Sequence, residues 1–384
     1  MSIGGIVLGI IFILLILFIA YRLYIYKKGL PLNIYFNPNS KIAPLVSTIH
    51  TITQRYHPTP WLFNGHLQSL YSMQFRPFKK FKNERERVTF PDGGEGIIDW
   101  FHPTVEVTVQ DGDSSYPKKD DIIVILHTLG GGSREKVINY FGVACAKKGY
   151  TAVVLNCRGC AGAKFTTKRV YNSFEIDDFK HSIDNHVKKR NPRHIFMVGF
   201  SMGSQQCTRY AAVYPDDLTA VVGVSHLMDL TRATKQIDTF PVNRFYLPNI
   251  IASHRRLLKK QPYLDPEYAK KLMKIDSMVE FDVAYTAPSV GMEINEFWKN
   301  VSIFDKIPRF GTPILELVAE DDPFTNKDFF PIKEAEMDYN QFMLLVTVKE
   351  GGHCGFIEGL DGEHTFVEDL AFEWFDKASK MKTK

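Results

Sequence analysis

The chain of 384 residues is 45% apolar and 23% charged, with a formal net charge of +4. These values fit one large α/β domain with appendages, or two small domains, around a sizeable core. The charge excess is too small to argue for a nucleic-acid partner.

From Met1 through Tyr21 there is no charge, and Ile3 to Ala20 is nearly all Ile, Leu, Val, Phe and Gly. A run of about 20 apolar residues is what a bilayer-spanning helix needs. A cleaved leader fits poorly, since no basic residue precedes the run and no small-x-small site follows it. Tyr21, Tyr24 and Tyr26 stand where an interfacial aromatic belt lies. Arg22, Lys27 and Lys28 place the remainder of the chain on the cytosolic side. The sequon Asn300-Val-Ser302 would suit the opposite orientation. The expectation is a transmembrane anchor over 1–28, then a linker and lead-in over 29–84.

From Arg85 the pattern turns α/β, and the main domain is expected over 85–380. Arg87–Phe90 and Gly96–Phe101 read as antiparallel strands around the turn Pro91–Gly94. Asp111–Asp121 reads as a polar surface loop. Ile122–Leu126 is a buried strand, Val137–Lys148 a helix, and Thr151–Leu155 a further buried strand. Ile176–Lys189 is an amphipathic helix, and the strand starting at His194 is followed by a helix over Ser204–Tyr214. Ala220–Val224, Pro313–Val318 and Met343–Val348 continue the series of strands, and Glu363–Lys377 closes it as a helix. Alternating strands and helices, the strands apolar throughout, predict a mostly parallel, doubly wound sheet. The segment 228–308 has helical character without a strand, and is expected to be a cap insertion. Its run His254-Arg-Arg-Leu-Leu-Lys-Lys260 reads first as a solvated helix face, and second as a surface for anionic lipid.

The run into Gly199-Phe-Ser201-Met-Gly203 is a strand ending in a strand-to-helix turn. G-x-S-x-G in that context pushes one serine out at the sheet edge as a nucleophile. The plain alternative is a glycine-rich turn with an incidental serine. A serine hydroxyl needs a base, and the base needs an orienting acid. Of 12 histidines, His353 alone follows the last predicted strand in a glycine-framed turn, Glu350-Gly-Gly-His-Cys-Gly-Phe356. The acid comes from Glu320-Asp321-Asp322-Pro-Phe324. An apolar residue two positions on selects Asp322, with Asp321 the main alternative. Two N–H donors are needed for the oxyanion: that of Met202, and one from His127-Thr-Leu-Gly-Gly-Gly-Ser133, chosen as Leu129. This loop lacks the Lys-Ser/Thr ending of a phosphate-binding loop. The five cysteines are scattered reduced thiols. Cys157-Arg-Gly-Cys160 has no second Cys/His pair for zinc, and no metal or cofactor is implied.

Six motifs together carry a resemblance: Asn64-Gly-His-Leu-Gln68, His127–Ser133, Asn156-Cys-Arg158-Gly159, Gly199–Gly203, Asp321-Asp322-Pro323 and Gly351–Phe356. The segment from Tyr56 to Phe375 resembles the AB hydrolase superfamily, specifically its AB hydrolase 4 family. That family comprises membrane-anchored animal acylglycerol lipases and phospholipases with bacterial esterases. The resemblance implies an α/β-hydrolase fold, with Ser201, Asp322 and His353 as nucleophile, acid and base. It departs at Thr128, where the family usually has glycine, a change that narrows the oxyanion site. The implied function is a membrane-anchored serine hydrolase of lipid esters, with a lipid ester and the bilayer as partners. Phospholipase A-type activity is the alternative. So is acyl transfer, for which His364-Thr-Phe-Val-Glu-Asp369 supplies an H-x4-D in a predicted helix, and a scaffold that kept only the fold is a third class.

Overall fold

The computed structural model, which describes residues 3–111 and 114–381, has thirteen strands among them, and the parallel ones follow the expected order with their helices. The strands are β1 Leu32–Tyr35, β2 Glu84–Thr89, β3 Glu95–Phe101, β4 Thr108–Asp111, β5 Ser114–Pro117 and β6 Asp121–Leu126. They continue as β7 Thr151–Asn156, β8 His194–Phe200, β9 Ala220–Val224, β10 Ile314–Ala319, β11 Met343–Val348, β12 Ile357–Glu358 and β13 His364–Thr365. Nine of them form one sheet in the order β1-β11-β10-β9-β8-β6-β7-β3-β2. β6 lies parallel to β7 and β8, and β9, β10 and β11 continue in parallel. β1, β2 and β3 are antiparallel to their neighbours.

The apolar runs that mark these strands are buried on both faces, and the side chains alternate between two cores. Along β6, Ile123 and Ile125 join Phe141, Phe196 and Trp374 on one side. Ile122, Val124 and Leu126 join Phe179, Met197 and Tyr210 on the other. Helices Lys136–Lys147 and Phe366–Ala378 cover the first face, and Met202–Val213 covers the second. The helix expected over Ile176–Lys189 starts at Asp177 and widens into a π turn at Ile183–Val187.

The segment 111–121 is not simply a polar loop. β4 and β5 pair as a hairpin, with residues 112 and 113 of the expected loop outside the described ones. Thr108 and Gln110 are exposed and Val109 pairs with buried Tyr116, so each strand turns a single apolar side chain inward, too few to set a period. The reading of 29–84 as a linker is also corrected. β1 closes the sheet against β11, the Leu30 N–H donates to the Tyr56 carbonyl at 2.7 Å, and Ile42, Ile49 and Tyr56 are buried in the main core. These apolar residues sit in irregular, proline-broken chain, where no period reveals them.

Ile3–Lys28 is a single helix, and among the described residues it alone is long and apolar enough to cross a membrane; the first two residues of the expected anchor lie outside the described ones. Only Gly29, Leu30 and Pro31 separate it from β1. Its last turns lie on the domain: Ile25 packs against the core, and the Tyr26 carbonyl accepts from His57 Nδ1 at 2.7 Å. Between β9 and β10 the regular elements are all helices, from Leu230–Ile237 through Leu247–Lys259 to Ile294–Val301, joined by short loops. Within it, His254 and Leu258 turn inward while Arg256 and Lys259 face solvent, so the basic run is one face of an amphipathic helix.

Candidate active site

β8 ends at Phe200 and the next helix starts at Met202, leaving Ser201 alone at the turn. Its backbone sits at φ 54, ψ −117, a strained conformation for a residue with a side chain. The Ser201 N–H donates to the Val224 carbonyl at 2.9 Å, which pins the turn to the end of β9. A Cβ on Gly203 would stand 2.3 Å from the Leu126 carbonyl oxygen, so the helix approaches β6 this closely only without a side chain there.

His353 lies on the loop after β11. Its Nε2 stands 2.7 Å from Ser201 Oγ, and its Nδ1 stands 2.8 Å from Asp322 Oδ2. Nδ1 facing a carboxylate must donate, which leaves Nε2 to accept the serine proton. Asp322 and His353 are both buried, and Asp322 Oδ1 accepts the Phe324 N–H at 2.8 Å. The Phe324 ring stands edge-on to the imidazole at 4.5 Å. Phe324 thus fixes one oxygen of the acid through its N–H and packs its ring on the imidazole that holds the other.

Asp321 does something else. Its Oδ1 accepts from the N–H groups of Gly351 and Gly352, each at 2.9 Å, and so buttresses the loop that carries His353. Oδ2 is buried and has no partner among the described residues. Burial, with the charges of Glu350 and Asp322 adding to it, pushes the Asp321 carboxyl up to about 7. Adjacent residues at a strand end point to opposite sides, and only Asp322 points at the imidazole.

Some participants at this site have no chemical signature in sequence. Asn64 caps the short helix Gly65–Leu70 by accepting from the Leu67 N–H at 2.9 Å. A Cβ on Gly65 would meet the Asp321 carbonyl oxygen at 1.9 Å, so this helix lies hard against the acid loop. Ser69 Oγ accepts the His353 N–H at 2.7 Å, and Gln68 Oε1 accepts the Ile357 N–H at 3.0 Å. Asn-Gly-His-Leu-Gln is therefore a brace for the histidine loop. The motif at Asn156–Gly159 is a brace too: Arg158 is clasped by Asp92 and Asp178, with contacts of 2.6–2.8 Å. Buried Cys160 belongs to the same turn, and burial pushes its thiol up to about 12.

The loop after β6 brings Leu129 to the cavity that Ser201, Met202 and His353 also line. Among the described residues no acceptor is seen for the N–H groups of Leu129 and Met202. His127 anchors the loop: Nδ1 donates to the Thr128 carbonyl at 2.7 Å, and Nε2 accepts the Cys157 N–H at 3.1 Å. Burial brings this imidazole down to about 4, so it is neutral. Thr128 turns its hydroxyl to Glu135, whose carboxyl burial pushes up to about 7. The threonine side chain is thereby held on the Glu135 carboxyl.

The cavity has a volume of about 380 Å³, in the range of small-molecule sites. Its walls are chiefly apolar, with Leu230, Leu257, Met278, Phe281 and Phe297 contributed by the helical insertion. His364 and Asp369 do not join it. They pair with each other at 2.8 Å, His364 in a short strand and Asp369 in the closing helix, rather than both in a helix as expected.

Comparison with known proteins bears on the family and the fold. A family model described as alpha/beta hydrolase fold matches residues 121–360. The monoacylglycerol lipase of Saccharomyces cerevisiae is 30% identical over 354 residues, covering 80% of this chain and 78% of that protein. The phospholipase ABHD3 of Homo sapiens is 28% identical over 340 residues, covering 85% and 80%. The solved acylaminoacyl peptidase of Pyrococcus horikoshii superposes with a TM-score of 0.52 at 16% identity, over 81% of this chain and 44% of that one, a likeness of fold alone.

Proposed function

We propose that this chain, which belongs to the alpha/beta hydrolase fold family, is a membrane-anchored serine hydrolase that cleaves carboxylic esters of lipids. Lipase and phospholipase relatives support ester hydrolysis on lipid. The observation that carries the mechanism is the unbroken chain of hydrogen bonds from Ser201 through His353 to Asp322, opening on an apolar cavity.

Ser201 Oγ attacks the ester carbonyl as His353 Nε2 takes its proton. Asp322 holds the imidazole in the required tautomer and stabilises the imidazolium. The N–H groups of Leu129 and Met202 receive the oxyanion. His353 then passes the proton to the leaving alcohol oxygen, and the acyl group stays on Ser201. Water, deprotonated by the same nitrogen, releases the acid and restores the serine. The cavity walls hold the acyl chain by apolar burial.

The helix Ile3–Lys28 anchors this domain, with Lys27 and Lys28 toward the cytosol. Packing of its last turns onto the domain supports an anchor over a removable leader, since those contacts would be lost on cleavage. A phospholipid substrate is the second reading, favoured by Lys136 and Arg256 on the cavity lining, two cations suited to a phosphate. Ser201→Ala is expected to abolish labelling by a fluorophosphonate probe, and labelling at the wild-type level overturns the assignment. Fatty acid release from monoacylglycerol and from phosphatidylcholine decides between the two substrates.

A further inference from the structure

The anchor helix does not leave the domain cleanly. Phe18 lies inside the uncharged run, and its ring meets Phe63 edge-to-face with centroids 5.0 Å apart. One turn on, Arg22 is buried on the domain, with its guanidinium against both Glu350 oxygens at 3.0 and 2.8 Å. The first charge of the helix is thus neutralised by the domain rather than by solvent or headgroups.

The lengths leave little freedom. The uncharged run Ile3–Tyr21 is about 28 Å long at about 1.5 Å per residue, against a hydrocarbon core of about 30 Å. A bilayer that accommodates the run therefore reaches to the level of Phe18 and its partner Phe63. Holding the domain clear of the membrane would strip the last apolar turn from the bilayer and leave the helix too short to span.

The domain surface at that level is apolar. Trp61 is 44% exposed, Phe63 40% and Leu360 62%, all large fractions for such side chains. Trp61 Nε1 donates to the Leu360 carbonyl at 3.0 Å, which ties the two residues into one surface, and the indole stands edge-on to Tyr71 at 4.9 Å with the rest of the ring exposed. An amphipathic tryptophan beside exposed phenylalanine and leucine is the composition of a membrane-interface contact.

We propose that Trp61, Phe63 and Leu360 form a platform seated in the bilayer that holds the anchor. The catalytic domain thus rides partly immersed rather than tethered above the surface. This rests on the membrane-anchor reading. Phe63 immediately precedes Asn64, the cap of the helix whose Ser69 supports His353, so immersion brings the active-site brace to the lipid surface.

The test uses the full chain in phosphatidylcholine vesicles, with and without lipids brominated along the acyl chains. Trp100, Trp298 and Trp374 are buried, so the fluorescence lost in Trp61→Phe isolates the one exposed tryptophan. Brominated lipid is expected to quench that component. Phe63→Asp with Leu360→Asp is expected to lower hydrolysis of vesicle-borne ester about tenfold, the scale of losing an apolar side-chain insertion. Turnover of a water-soluble short-chain ester by the same variant should stay at the wild-type level, which shows that it folds. Wild-type protein that resists alkaline carbonate extraction but shows no Trp61 quenching overturns the platform alone. Release by carbonate overturns the anchor, and the platform with it.

Discussion

Exchanging each of the adjacent acids for its amide tests the division of labour between Asp321 and Asp322. In Asp322→Asn the amide can still accept from the Phe324 N–H, but it offers an N–H to His353 Nδ1 where the carboxylate accepted at 2.8 Å. The imidazole then carries its proton on Nε2, the atom that must receive the proton of Ser201. The expected loss in kcat is about 10⁴-fold, the cost of the wrong tautomer. In Asp321→Asn the amide oxygen still accepts from Gly351 and Gly352, so kcat should remain within about tenfold. Its effect belongs to stability. The unfolded Asp321 carboxyl ionises near 3.8 and the folded one near 7, so between those values the folded state holds the extra proton. The group's contribution is full below about pH 4 and is lost as the pH rises toward 7. At roughly 1.4 kcal/mol per unit, ionising it in the fold costs about 4 kcal/mol. The neutral amide escapes that cost, so Asp321→Asn should gain on the wild type between pH 4 and 7 and level off above. Steady-state kinetics on a soluble ester and urea midpoints across that range measure both effects. The reasoning is refuted if Asp321→Asn is the inactive variant, or if its stability relative to the wild type falls as the pH rises.

Three further outcomes follow from the same contacts. Ser69→Ala strands the buried His353 N–H at a cost of about 1–3 kcal/mol, read as roughly a ten- to hundredfold fall in kcat/KM if it all falls on the transition state. Gly203→Ala drives a Cβ into the Leu126 carbonyl oxygen and should destabilise the fold by about 3 kcal/mol or more, seen as a lowered urea midpoint or loss of soluble protein. Glu135→Gln should keep activity within about threefold at pH 6, where a carboxyl pushed up to about 7 is mostly protonated and the amide removes little charge, whereas Thr128→Val leaves the Glu135 carboxyl without its hydroxyl donor and should cost more.

The central strands, the serine and the histidine were legible because each rests on a local pattern. Strands buried on both faces are apolar without interruption, and the elbow writes its two glycines into five residues. What escaped was long-range. β1 is four residues of mixed character, and it becomes a strand only because β11 presents an open edge to it. The roles of Asp321 and Asp322 separate only when the Gly351–His353 loop arrives 30 residues later. Ser69 and Gln68 carry no chemical signature of their own. They matter through what packs against them, and no period or spacing within one segment records that.

On the membrane-anchor reading proposed above, the three-residue joint between the helix Ile3–Lys28 and β1 sets the dimensionality of the reaction. A long tether would let the domain swivel and sample the aqueous volume around its attachment point. Gly29, Leu30 and Pro31, with Leu30 bonded to Tyr56, give the domain one approach angle to the surface. Encounters with substrate then come by lateral diffusion in two dimensions. The rate should track the mole fraction of ester in the bilayer and stay indifferent to how much lipid the suspension contains.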